Sequence, residues 1–144
     1  MYYVNRQQID NRLDQAQLLE QAVGSLTSNW SGSIVDHLAQ ERALHIAIEI
    51  VTDVGSLLID GFILRDASSY EDIVDIIAEA GAMDEELHQV LIQLVALRRP
   101  LVQDYEKWKR EGVHPLFTNL DVTMRQFSES VHRFLQKELP ALQV

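Results

Sequence analysis

The run from Ser33 to Leu64, SIVDHLAQERALHIAIEIVTDVGSLLIDGFIL, decides the architecture. Its apolar residues return every three to four positions and never alternate as in a half-buried strand, so it reads as one long helix. Gly55 and Gly61 interrupt the run without stopping it, and residues that small let a neighbouring helix approach closely. One face is polar: Glu41, His45, Glu49 and Asp53 step four apart, with Asp60 on the same side. That face is expected to be solvated or to line a groove. The apolar arc is wider than a single surface stripe requires. Such an excess predicts burial against a partner subunit as well as the chain's own bundle, hence a homodimer.

Four further helical segments surround it. Asn5 to Val23 carries Ile9, Leu13, Ala16 and Ala22 among Gln and Asp, and Gly24-Ser25 is expected to end it. A segment from Tyr70 to Ala80 comes after Ser68, which is spaced with Glu71 as a capping box, and Gly81 closes it. Asp84 caps the next, which carries Leu87, Val90, Leu91, Leu94 and Leu101. Pro100 should kink or restart that helix, because it removes a backbone donor and crowds the preceding turn. After a break at Gly112-Val113-His114-Pro115, the last helix presents Leu120, Met124, Phe127, Val131 and Phe134 at helical spacing. Short loops and the absence of repeats predict an all-α fold: a single domain over residues 1–144, built as an up-and-down bundle of about five helices.

With 47% apolar and 24% charged residues, six Gly and three Pro, the chain reads as globular. It has no cysteine, so neither a disulfide framework nor a thiolate metal site is expected. The N-terminal stretch Met1 to Gln8 lacks a basic segment leading into an apolar core, and no apolar run reaches the ~20 residues that span a bilayer. A cytoplasmic protein without membrane association is the expectation. The net charge of −10 opposes non-specific binding to nucleic acid. Its distribution is uneven, however. Arg98, Arg99, Lys107, Lys109 and Arg110 cluster, whereas the stretch between Asp66 and Leu97 is acidic and holds no Lys or Arg.

The basic cluster coincides with Arg98-Arg99-Pro100-Leu101-Val102-Gln103-Asp104-Tyr105. This stretch resembles the Arg-x(4–6)-His-x-Tyr signature of the HepT-like family of the HEPN-domain superfamily. These are small all-helical ribonuclease toxins paired with nucleotidyltransferase (MNT-type) antitoxins. Arg98, Leu101, Val102 and Tyr105 stand in register with the family's common Arg-Asn-x-Leu-Val-His-x-Tyr, while Gln103 stands at the histidine position and Arg99 at that of a small polar residue. The chain's length, its helix pattern, the place of the motif late in the fourth helix, and Asp60 to Asp66 with Ser69-Tyr70-Glu71-Asp72-Ile73 after it extend the likeness over nearly the whole chain. The resemblance implies a HEPN-like bundle and a catalytic set at Arg98, Gln103 and Tyr105. It also implies RNA contacts from Arg98, Arg99 and Lys107, and Tyr105 as the acceptor of a modification by the antitoxin.

Cleavage of RNA by its own 2′-hydroxyl needs a base, a cation for the phosphorane charge and a means of holding the phosphate in line. Arginine suits the second task through its planar, permanently charged fork. Gln103 cannot act as the base, since its amide has no proton to exchange near neutrality. The reading therefore divides between a toxin-like partner of a nucleotidyltransferase whose ribonuclease activity is weakened or lost, and an active metal-independent ribonuclease working in a dimer cleft. In the latter, another histidine, His45 or His114, could be brought in by the fold. Arg98 also lies near the apolar face of its helix and needs a partner there, for which Glu49 or Asp53 is expected. Glu85 with His88 and Glu129 with His132 have the spacing of di-metal ligands, but helical angles turn both pairs toward water, so no metal and no cofactor are expected.

Overall fold

The computed structural model describes residues 2–139; the single-domain reading includes positions 1 and 140–144, which lie outside them. The described residues form α1 (Arg6–Asp14), α2 (Ala16–Ser28), α3 (Ile34–Phe62), α4 (Tyr70–Glu79), α5 (Glu85–Ala96), α6 (Pro115–Thr118) and α7 (Leu120–Glu138). A π-helical turn at Arg99–Gln103 and a 3₁₀ turn at Tyr105–Lys107 come after α5. No strand occurs among the described residues. The fold is all-α as expected; counting α1 and α2 as one broken helix, and α6 as a single turn, recovers the five predicted segments.

The first predicted segment differs in two respects. It is broken at Gln15, whose N–H turns back onto the Arg12 carbonyl, a tight 3₁₀-type closure. The bend keeps Ile9, Leu13, Ala16, Leu19 and Val23 all buried as the chain passes α3. Gly24 does not end α2, which continues to Ser28, because a glycine within a helix costs only ~1 kcal/mol against alanine. The capping box of α4 is displaced by one residue. Ser69 is the cap, accepting from the Asp72 N–H at 3.0 Å, and Asp72 reaches back to the Ser68 N–H at 2.9 Å.

Helix α3 is the axis of the molecule and touches α1, α2, α4, α5 and α7. Its apolar excess is consumed within the chain. Leu44, Ala47, Ile48, Val51, Val54 and Leu58 are fully buried, leaving Ile34, Val35 and Leu38 exposed at its N-terminal end. The width of the arc therefore does not by itself call for a partner subunit. At the other end α3 stops at Ile63, in the left-handed conformation (φ 55°), with the Leu64 N–H bonded to the Ile59 carbonyl at 2.9 Å. The N-terminal segment crosses there: Val4 Cα lies 3.0 Å from where a Gly61 Cβ would sit, and the Tyr3 N–H donates to the Gly61 carbonyl.

Gly55 sets the spacing between α3 and α4. A Cβ at this position would penetrate the Ile73 Cγ2 methyl and lie 3.7 Å from Ile77 Cδ1. Ile73 is β-branched and within a helix, so its methyl has no rotamer into which to retreat. Both glycines thus serve the close packing read from the sequence. Gly55→Ala should destabilise the protein by about 1–3 kcal/mol despite alanine's better helix propensity, measured as a lower urea midpoint at unchanged slope.

Candidate functional site

Helix α5 ends at Ala96, and Pro100 falls in the first turn of the π-helical segment beyond it. Without a donor at Pro100 the ladder re-forms one residue longer, with the Asp104 N–H bonded to the Arg99 carbonyl at 2.9 Å. The helix is thus diverted rather than continued, and Arg98 and Tyr105 do not share a face. Arg98 stays at the junction with its side chain 19% exposed, whereas Tyr105 is 68% exposed on the 3₁₀ turn.

Arg98 reaches toward α3 and α4. Its Nε donates to Glu49 Oε1 at 3.4 Å, and its guanidinium carbon sits 4.0 Å from the centre of the Tyr70 ring. A partly desolvated arginine over an aromatic face gains ~0.5–2 kcal/mol, which offsets part of the cost of withdrawing it from water. Of the two acids expected to hold Arg98, Glu49 does so; Asp53 pairs instead with Arg12 at 3.3 Å. Among the described residues neither terminal nitrogen of Arg98 donates to protein, so the fork is oriented while its two outer nitrogens remain available. They belong to a cleft of about 200 Å³ lined by Ser69, Tyr70, Glu71, Val95, Arg98 and Gln103, with Arg99 at its edge.

The remaining predicted residues are placed unevenly. Gln103 is exposed and lines this cleft beside Arg98. Arg99 is 77% exposed and 3.6 Å from Asp104. Lys107 lies exposed on the 3₁₀ turn. Of the two spare histidines, His114 is committed to structure: its Nδ1 accepts from the Leu116 N–H, its ring stacks on Trp108, and burial pushes its pKa down. His45 stands one turn before Glu49, with Nε2 3.3 Å from Glu49 Oε1, the same oxygen that receives Arg98. The polar face of α3 is therefore neither simply solvated nor empty. Arg110 clamps Glu41 at 2.7 and 2.9 Å, Arg98 meets Glu49 and Arg12 meets Asp53.

His88, expected to face water, is instead inserted between α4 and α5 with 18% exposure, 2.7 Å from Asp75 and 3.4 Å from Glu85. Burial lowers its proton affinity, but the two carboxylates outweigh it and the pKa is raised. His132 lies 3.2 Å from Asp10. Among the described residues no group of three or more His, Asp or Glu could hold a metal ion. Tyr70 is the site residue that the sequence does not disclose. Nothing in its neighbours Ser69 and Glu71 signals that the start of α4 folds over the end of α5.

Comparison with known proteins fits this geometry. The model of the HepT-like ribonuclease family matches residues 12–131. The chain belongs to the HepT-like ribonuclease family. A relative, the candidate RNase YutE of Bacillus subtilis (strain 168), is 33% identical over 141 residues, covering 96% of this chain and 95% of YutE. The solved structure of YutE, described as a cytosolic protein of unknown function, superposes with a TM-score of 0.84 at 31% identity, over 99% of this chain and 98% of that one. The HepT-like fold here has no helix long and apolar enough to cross a membrane among the described residues.

The loop that positions Tyr70 is fixed by Asp72. Arg65 grips both its oxygens at 2.9 and 3.0 Å, and the Ser68 N–H adds a third bond, holding its pKa at about 2 against 3.8 ordinarily. A carboxylate with a depressed pKa stabilises the fold above its unfolded value and loses that contribution as pH falls through the folded one. Asp72→Asn should therefore lower Tm at neutral pH by an amount that is constant down to about pH 4 and closes toward about pH 2, as thermal melts along a pH series would show.

Proposed function

We propose that this protein is a metal-independent ribonuclease of the HepT-like type, cleaving single-stranded RNA at the cleft built around Arg98. The observation that carries the reading is the anchoring of Arg98. Glu49 and Tyr70 orient its guanidinium, and two donors remain free for the oxygens of a phosphodiester. A cation held before substrate arrives stabilises developing negative charge without reorganising, which is how such groups accelerate transfer at phosphorus. Arg99 and Lys107 extend the positive rim for neighbouring phosphates, a local exception to the net charge of −10.

The same reading makes the protein a cytoplasmic, toxin-like component that works as a homodimer and pairs with a nucleotidyltransferase antitoxin. The exposed Ile34, Val35 and Leu38 continue the α3 face that bears His45 and Glu49, so a second copy seated there would stand beside the cleft. Tyr105 supports the antitoxin pairing, because its exposed side chain within the basic segment is open to a nucleotidyl donor. Incubation with such a transferase and labelled nucleotide should label the protein, and Tyr105→Phe should remove the label. Label retained on the variant would place the acceptor elsewhere.

In EDTA the purified protein should cleave an oligoribonucleotide, and Arg98→Ala should reduce the rate by ~10²–10³-fold with the fold intact by circular dichroism. Equal cleavage by Arg98→Ala would remove the cleft from the reaction.

A further inference from the structure

The cleft offers Arg98 to a phosphate, yet Gln103, which stands in it, cannot accept a proton. A proton acceptor is found across Glu49. His45 Nε2 lies 3.3 Å from Glu49 Oε1, and Arg98 Nε lies 3.4 Å from that oxygen. The ring's other nitrogen, Nδ1, is 3.2 Å from Arg42 Nη1. A guanidinium only donates, so Nδ1 is the accepting nitrogen and the proton sits on Nε2, 3.3 Å from Glu49 Oε1. The Arg42 contact thus selects one tautomer, with a lone pair at Nδ1 and a carboxylate near the other nitrogen. Arg42 is exposed and makes a single contact here, so substrate can displace it.

We propose that His45 is the general base of this site, taking the proton from the ribose 2′-hydroxyl at Nδ1; the assignment rests on the ribonuclease reading above. The 2′-oxygen then bonds to phosphorus, the bond from phosphorus to the 5′-oxygen breaks, and that oxygen takes a proton from water, while His45 later returns the 2′ proton to solvent. The products are a 2′,3′-cyclic phosphate and a 5′-hydroxyl. Glu49 has two tasks. It lies beside the protonated nitrogen of the imidazole and holds the phosphate-binding arginine, so a single carboxylate oxygen stands between base and cation. Arg42, released from Nδ1, lies on the substrate's side of the ring as a further phosphate ligand. The charged groups on the face of His45 are Arg42, Glu49 and, one turn before it, Glu41 on its own helix, with Arg98 reached through Glu49 and Arg110 through Glu41.

The test compares wild type, His45→Gln, His45→Ala and Arg98→Ala on a mixed-sequence single-stranded oligoribonucleotide in EDTA, with rates measured across the imidazole range (~pH 5–8). His45→Gln should cut the rate by ~10²–10⁴-fold and abolish its rise with pH, while binding of the uncleavable 2′-O-methyl oligonucleotide is unchanged. Added imidazole should restore part of the activity of His45→Ala, which a purely structural histidine would not allow. If His45→Gln cleaves like wild type while Arg98→Ala is inactive, His45 is not the base and the ribonuclease reading stands. If the wild type cleaves nothing, that reading falls and this assignment with it.

Discussion

The burial of α3 is the constraint on which the rest of the molecule depends. A helix that touches α1, α2, α4, α5 and α7 has little lateral freedom, and its small and large residues dictate where each neighbour lies. Gly55 draws α4 in, Gly61 admits the N-terminal segment, and Leu44 to Leu58 fill the space between. The polar stripe of the same helix then meets cations from α1, the end of α5 and the loop before α6. Fold and site are consequently two sides of one helix. A change of spacing on the apolar side would reach Arg98 through Glu49 without any alteration in the cleft itself.

The electrostatics obey the same economy. The protein is strongly acidic, and its basic groups in and around the cleft are few. Arg98, Arg110 and Arg12 each meet a carboxylate of α3, but only Arg98 does so at less than a fifth exposure and over an aromatic ring. The exposed pairs contribute little and are screened by salt. The Glu49 contact matters for orientation more than for stability. An arginine whose Nε is fixed presents its two remaining nitrogens in a defined plane, which a freely rotating surface arginine would not do.

Periodicity made the long helix, the caps at Asp84 and Gly81, the break at Gly112 and the restart at Pro100 legible, because each has a local cause in one or two side chains. The bend at Gln15 has no such cause; it arises from the need of Ile9 through Val23 to stay against α3. At the site, Arg98 and its partner Glu49 were readable from charge near an apolar face, since a buried arginine requires an acid. Tyr70 was not, for its contact with Arg98 depends on how the loop after α3 turns, and that loop is held by Arg65, Ser68 and Asp72 together. His45 was legible as a residue on the polar stripe, but its contacts with Arg42 and its closeness to Glu49 appear only in the folded chain.

The π turn after Arg98 acts as a phase shifter. An α-helix advances ~100° per residue, so one extra residue within a turn rotates everything beyond it by about that angle relative to an uninterrupted helix. Arg98 keeps the azimuth of α5 and faces inward, while Tyr105 emerges on another bearing and faces solvent. Seven residues apart on an uninterrupted helix, the two side chains would fall on one face; the turn instead parts an enclosed arginine from an open tyrosine.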